Sequence, residues 1–219
     1  MLSCIVFDFD GTLVVSNKIK QDSFFDVTET IPQASQILKQ ILKKTYLNNR
    51  NLIFKELSLI LKKKYAVHVD PVFLIKKYTN ISEKLIFNAP EVPGAQVTLS
   101  KLKKQGLKLA ISSATPTPTL KNIIKQRKID KFFDYIYGAP QTKENHLQKL
   151  FILTSCKPSQ LVLVGDSEID QKAAKNVGSH FVGIGKNCNR FTDEPEHFLN
   201  DLNGLSHMLE QLVFLNKLN

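Results

Sequence analysis

Arginine is scarce in this chain. Of 30 basic residues among 219, only Arg50, Arg127 and Arg190 are arginines, although the formal net charge is +10. Arginine is the side chain that reads guanine edges through two parallel hydrogen bonds. The rest of the positive charge is lysine spread along most of the sequence, which argues against a nucleic-acid partner. The densest runs, Lys62-Lys63-Lys64 and Lys101, Lys103 and Lys104, fall within helical patterns whose apolar residues are Leu57, Ile60 and Leu61, or Leu99 and Leu102. They read as solvated helix faces, and such a surface suits small anionic substrates.

Long apolar runs are missing as well. None approaches the roughly eighteen residues of a membrane span. No secretory leader is expected, because Asp8 and Asp10 interrupt the apolar run near the start and no basic residue precedes it. Cysteine is limited to Cys4, Cys156 and Cys188, a scattered odd set without metal-ligand spacing, which predicts reduced thiols in a cytoplasmic protein. The five histidines, at 68, 146, 180, 197 and 207, form no cluster, so neither a histidine nucleophile nor a zinc site is expected. Gly183-Ile184-Gly185-Lys186 lacks the spacing of a phosphate loop and reads as a strand exit.

What remains is organised. Apolar runs at Cys4–Phe7, Leu107–Ile111, Leu161–Val164 and Phe181–Ile184, with a weaker one at Tyr135-Ile136-Tyr137, predict buried parallel strands. Helical patterns over about 95–105, 116–128, 143–154 and 168–177 separate them, so the fold class expected is α/β, a parallel sheet layered between helices. Residues 16–89 break the rhythm. They read as helix, in pieces at 21–27, 32–43, 49–65, 71–77 and 82–88, with at most a short strand at Ala66–Val69. The expected organisation is therefore a core of residues 1–15 and 90–219 carrying an all-helical cap, 16–89, inserted after the first strand. Two prolines and a glycine at Pro90, Pro93 and Gly94 mark the return. A lid that closes to exclude bulk water is the motion such an insertion implies.

Four elements carry chemistry. In "CIVFDFDGT", Asp8 and Asp10 project to one side of an extended segment while Phe9 points away. Two close carboxylates need a cation or a shared proton, and a divalent metal is the obvious partner. In "AISSATP", Ser113 or Ala114 opens a loop whose hydroxyl and backbone N–H groups can hold a phosphate oxygen. Lys143, in "PQTKENHL", starts a helix against the preference of the helix dipole, as a lysine held by anions would. In "LVLVGDSEID", a second strand ends on carboxylates: Asp166 offers a hard oxygen ligand of the kind Mg²⁺ prefers, and Ser167 with Asp170 forms a capping-box variant.

Together these residues resemble the haloacid dehalogenase superfamily of phosphotransferases. Asp8, Asp10, Gly11 and Thr12 look like its first motif, Ser113 its second, Lys143 its third, and Asp166 with Asp170 its fourth. The resemblance implies a Rossmann-like core and Asp8 as nucleophile forming an aspartyl-phosphate, with Asp10 as general acid and base. It also implies Mg²⁺ held by Asp8, the Asp10 backbone carbonyl and Asp166, and a phosphoryl group held by Ser113 and Lys143. Asp170 would reach the metal directly or through water. The helical insertion points to phosphoglycolate-phosphatase-like and phosphoglucomutase-like members, hence a phosphatase of a small phosphorylated metabolite, or a sugar-phosphate mutase using the same intermediate. A binding module on this fold, for nucleic acid or a protein partner, is the alternative of another class. Arg50, the only arginine in the insertion, is the candidate contact for the far end of the substrate. Oligomeric state and pathway are not encoded in any of these motifs.

Overall fold

The computed structural model describes residues 2–43 and 49–215. Six strands form one sheet: β1 Cys4–Phe7, β2 Lys108–Pro116, β3 Tyr135–Ala139, β4 Leu161–Gly165, β5 His180–Ile184 and β6 Phe198–Leu199. Their order is β3-β2-β1-β4-β5-β6, and every pairing is parallel. β1 is central, with Cys4 opposite Lys108 on one side and Leu161 on the other. Strands covered on both faces read as unbroken apolar runs rather than alternating ones, and β1 and β4 are buried along their whole length. Alternation still sorts their side chains. Cys4, Val6, Leu161 and Leu163 join Leu147 and Leu150 of α7 (Lys143–Thr154), and Ala173 and Ala174 of α8 (Glu168–Val177), in one core cluster. Ile5, Phe7, Val162 and Val164 are buried on the other face.

The remaining helices are α1 Asn17–Asp26, α2 Ala34–Ile41, α3 Arg50–Tyr65, α4 Pro71–Asn88, α5 Ala95–Lys104, α6 Thr117–Gln126 and α9 Leu205–Leu215. The chain divides into two compact units, Met1–Val15 with Ala89–Asn219, and Ser16–Asn88. In the sheet unit the outgoing and returning segments pair: Val14 bridges Glu91 in antiparallel fashion, and the Val15 N–H donates to the Pro90 carbonyl at 2.9 Å. The second unit consists of α1 to α4, whose inward stripes meet in a cluster of Phe24, Ile37, Leu38, Phe54, Leu57 and Tyr78 with their neighbours.

Four local expectations change. Residues 66–69 are loop, not strand: Ala66 closes α3 in the left-handed conformation at φ 55°, and its N–H and that of Val67 both return to the Leu61 carbonyl. The two short helices expected at 71–77 and 82–88 are one, α4, running through Tyr78 because that ring is buried against Phe24 and Phe54. β2 runs past Ile111 to Pro116, with a register irregularity after Ser112 before Pro116 pairs with Ala139. β6, two residues long, had no periodic signal to announce it.

Candidate active site

β1 does not stop at its last apolar residue. The Asp8 N–H donates to the Val164 carbonyl at 2.8 Å, which carries the ladder with β4 one residue further and fixes the carboxylate at the strand's end. The chain then folds sharply. Gly11 takes φ 86°, the left-handed region that only glycine enters freely, and donates to the Val14 carbonyl at 2.7 Å. This turn returns Asp10 beside β2, where its Oδ2 accepts from the Thr115 hydroxyl at 3.1 Å and, more weakly, from Ser113 Oγ at 3.5 Å. Ser113 Oγ in turn accepts from the Thr115 N–H at 3.1 Å, while Ala114 between them is exposed. Asp8 and Asp10 are both buried.

β4 ends in the same manner on Gly165 and Asp166. Ser167 caps α8 and accepts from the Asp170 N–H, as its spacing predicts. A Cβ on Gly165 would lie 2.3 Å from Asp170 Cγ, so the bare backbone there is what lets the Asp170 side chain lie over the strand end. Lys143, first residue of α7, is buried rather than solvated. Its Nζ donates to Asp8 Oδ1 at 2.7 Å and to Asp170 Oδ1. Ser167 Oγ donates to the other Asp170 oxygen, so each Asp170 oxygen has a partner, the lysine on one and the serine on the other. Asp166 Oδ2 accepts from Arg190 Nη1 at 2.6 Å.

Asp8, Asp166 and Asp170 thus offer carboxylate oxygens within 4.8 Å of one another, all buried. Burial pushes the Asp8 carboxyl up to about 8; Lys143 opposes this, and the fields of Asp170, Asp166 and Asp10 add to it. Burial alone would lower Lys143, but Asp170 and Asp8 hold its ammonium well above the ordinary lysine value. A carboxyl kept protonated near neutrality is a poor nucleophile, and Lys143 alone does not offset its burial. Hard, buried oxygen donors with excess negative charge fit a divalent cation. The Asp10 side chain, occupied with Ser113 and Thr115, stands outside that group of three.

The structure brings Asp8, Asp10, Ser113, Ala114, Lys143 and Asp166 to the carboxyl ends of the sheet, the edge where ligands of parallel sheets bind. Arg50 belongs to the other unit, where its Nη1 donates to Thr79 Oγ1 at 2.7 Å and its guanidinium lies 5.2 Å from the Tyr78 ring centre. Three contributors escaped sequence reasoning. Thr115 lies two residues beyond Ser113 on one strand, so period two could have found it. His146 follows Lys143 by one helical turn; its buried Nδ1 pairs with Ser112 Oγ at 2.8 Å, and burial lowers the ring to about 4, leaving it neutral. Arg190 lies in a loop 24 residues from Asp166, with no local pattern linking the two.

A parallel sheet whose central strands end on buried acids, with a lysine delivered by a flanking helix, is the framework of a family of hydrolases. Residues 5–184 match the family model described as haloacid dehalogenase-like hydrolase, and the chain belongs to that family. A phosphoglycolate phosphatase of Pseudomonas putida is 35% identical over 122 residues, 52% of this chain and 45% of that protein. Another, from Pseudomonas fluorescens, is 28% identical over 84% of this chain and 70% of its own length. The chain spans about half the length of the first curated relatives it matches. Among solved structures, a predicted phosphoglycolate phosphatase of Haemophilus somnus has a TM-score of 0.77 at 21% identity, covering 95% of this chain and 98% of that one, which is a likeness of fold. No described helix is long and apolar enough to cross a membrane.

Proposed function

We propose that this chain is a Mg²⁺-dependent phosphatase of a small phosphorylated metabolite, acting through an aspartyl-phosphate on Asp8. The observation that carries the reading is the Asp8 carboxylate at the end of β1, tied to Lys143 and grouped with Asp166 and Asp170. One oxygen of Asp8 attacks phosphorus, and the bond from phosphorus to the substrate's ester oxygen breaks. Asp10 gives that leaving oxygen a proton, then removes one from the water that attacks the phosphorylated Asp8, releasing inorganic phosphate and restoring the carboxylate. Lys143 and Ser113, with the backbone N–H of Ala114, hold the phosphoryl oxygens, and Asp170 keeps Lys143 in place. Mg²⁺, held by Asp8, the Asp10 carbonyl and Asp166, would neutralise charge developing on the phosphoryl group.

The helical unit is the part of the chain left to recognise the remainder of the substrate, as a cap, with Arg50 its candidate contact. Phosphoglycolate is the first substrate to test, since the curated relatives carry that name, followed by a panel of sugar phosphates. The free cysteines suit a cytoplasmic setting. Release of inorganic phosphate from p-nitrophenyl phosphate should require Mg²⁺ and stop on addition of EDTA. Turnover that survives complete metal removal would defeat the metal assignment, and an isomerised sugar phosphate without phosphate release would reassign the chain as a mutase.

A further inference from the structure

Arg190 stands on the loop that follows β5, and that loop is tied down directly after it. The Phe191 ring, buried, meets Phe181 edge-on at 5.8 Å and Phe198 at 6.2 Å between ring centres. Its N–H returns to the Cys188 carbonyl at 3.0 Å, closing a turn around Arg190. The Thr192 hydroxyl donates to Glu168 Oε1 at 2.7 Å, and the Gln171 amide to the Asp193 carbonyl at 3.0 Å, so the loop is fastened to the first turn of α8, directly after Asp166. The backbone beside Asp166 is therefore fixed, while the Arg190 side chain remains 56% exposed against 7% for Asp166.

We propose that Arg190 is a built-in competitor for the divalent cation: its guanidinium holds Asp166 Oδ2 and lowers the affinity of the site for metal. The inference rests on reading the acidic group as a divalent-cation site. A cation on the other oxygen of Asp166 shares one carboxylate with the guanidinium, and the two positive charges repel across it, an effect that water on the exposed side of the guanidinium reduces. Being mostly in water, Arg190 can swing away at little cost. It thus keeps Asp166 neutralised and in position before metal arrives, and yields on binding. The consequence is a weaker and more easily reversed metal site than the carboxylates alone would make.

Calorimetric titration of the full chain with Mg²⁺ in the absence of substrate, paired with thermal denaturation, tests this directly. Arg190→Gln should tighten Mg²⁺ binding by about three- to tenfold and enlarge the metal-induced rise in Tm. Arg190→Lys, which keeps the charge, should stay near the wild-type affinity. Unchanged or weaker binding in Arg190→Gln overturns the competitor role while leaving the metal site standing. Absence of saturable Mg²⁺ binding in the wild type defeats both the metal site and the competitor.

Discussion

The two units of this molecule bury different things. Among the described residues, the sheet unit encloses Asp8, Asp10, Lys143, Asp166 and Asp170, whereas the helical unit buries no charged side chain. Three of its buried hydroxyls return to the chain three or four residues back: Ser23 donates to the Ile19 carbonyl, Thr28 to that of Phe24 and Ser82 to that of Thr79. Removing one partner of a buried charge pair costs several kcal/mol, so a fold gathers five such groups only where each is answered, and here each is answered by another member of the set or by a neighbouring hydroxyl or guanidinium. The helical unit is arranged for packing and the sheet unit for chemistry. Substitutions should therefore read out in different currencies, catalysis on one side and stability on the other.

Asp8→Asn is expected to give the largest effect. Loss of the nucleophile should cut phosphatase turnover by on the order of 10³-fold or more, measured as phosphate release from p-nitrophenyl phosphate. The same variant sharpens the contrast through pH. Because the folded chain holds a proton on Asp8 up to about pH 8 that the unfolded chain releases near pH 4, the metal-free protein gains stability from this group at low pH. That contribution is lost as pH rises through the window. Urea denaturation in EDTA at pH 5, 6.5 and 8 should show stability falling with pH, and a shallower fall in Asp8→Asn; equal slopes would mean Asp8 is ionised in the folded, metal-free state.

Next in size is Phe54→Ala in the helical unit. Phe54 is fully buried and lies 5.2 Å from Phe24 and 5.8 Å from Tyr78 between ring centres. Emptying that position should cost about 3–5 kcal/mol of stability by urea denaturation. It should leave turnover of p-nitrophenyl phosphate per folded molecule within about twofold, since no residue proposed for the phosphoryl step is touched. A catalytic loss as large as that of Asp8→Asn would erase the division between the two units.

The same division explains what could be read from the sequence. β1 and β4 were legible because central parallel strands are apolar throughout, and the acids that follow them interrupt those runs abruptly. Lys143 was legible as a misplaced charge at a helix start, though its second partner, Asp170, was not; that contact depends on Gly165 leaving room over the strand end. The helical unit gave up its class but not the bounds of its individual helices. Tyr78 and Thr79, poor helix formers alone, lie between the helical patterns at 71–77 and 82–88, while in the fold the Tyr78 ring is buried and the Thr79 hydroxyl bonds back to the Ile75 carbonyl. Arg190 and β6 depend on tertiary packing alone and left no local trace.

Arg50 is where the comparison could fail, since it is the one residue of the helical unit singled out for substrate. In the structure its guanidinium is already engaged, donating to Thr79 and lying over Tyr78, whose hydroxyl donates to the Lys20 carbonyl at 3.2 Å. Arg50→Ala should lower stability by about 1–2 kcal/mol through loss of the charged hydrogen bond and the ring contact. Arg50→Lys, which lacks the planar fork, should recover only part of it. If Arg50 also contacts substrate, kcat/KM should fall for the best substrate of a phosphorylated-metabolite panel while p-nitrophenyl phosphate, with little beyond its phosphoryl group to grasp, is turned over as before. Equal behaviour of the two substrates, alongside the stability loss, would make Arg50 a packing residue and leave the charged chemistry wholly in the sheet unit.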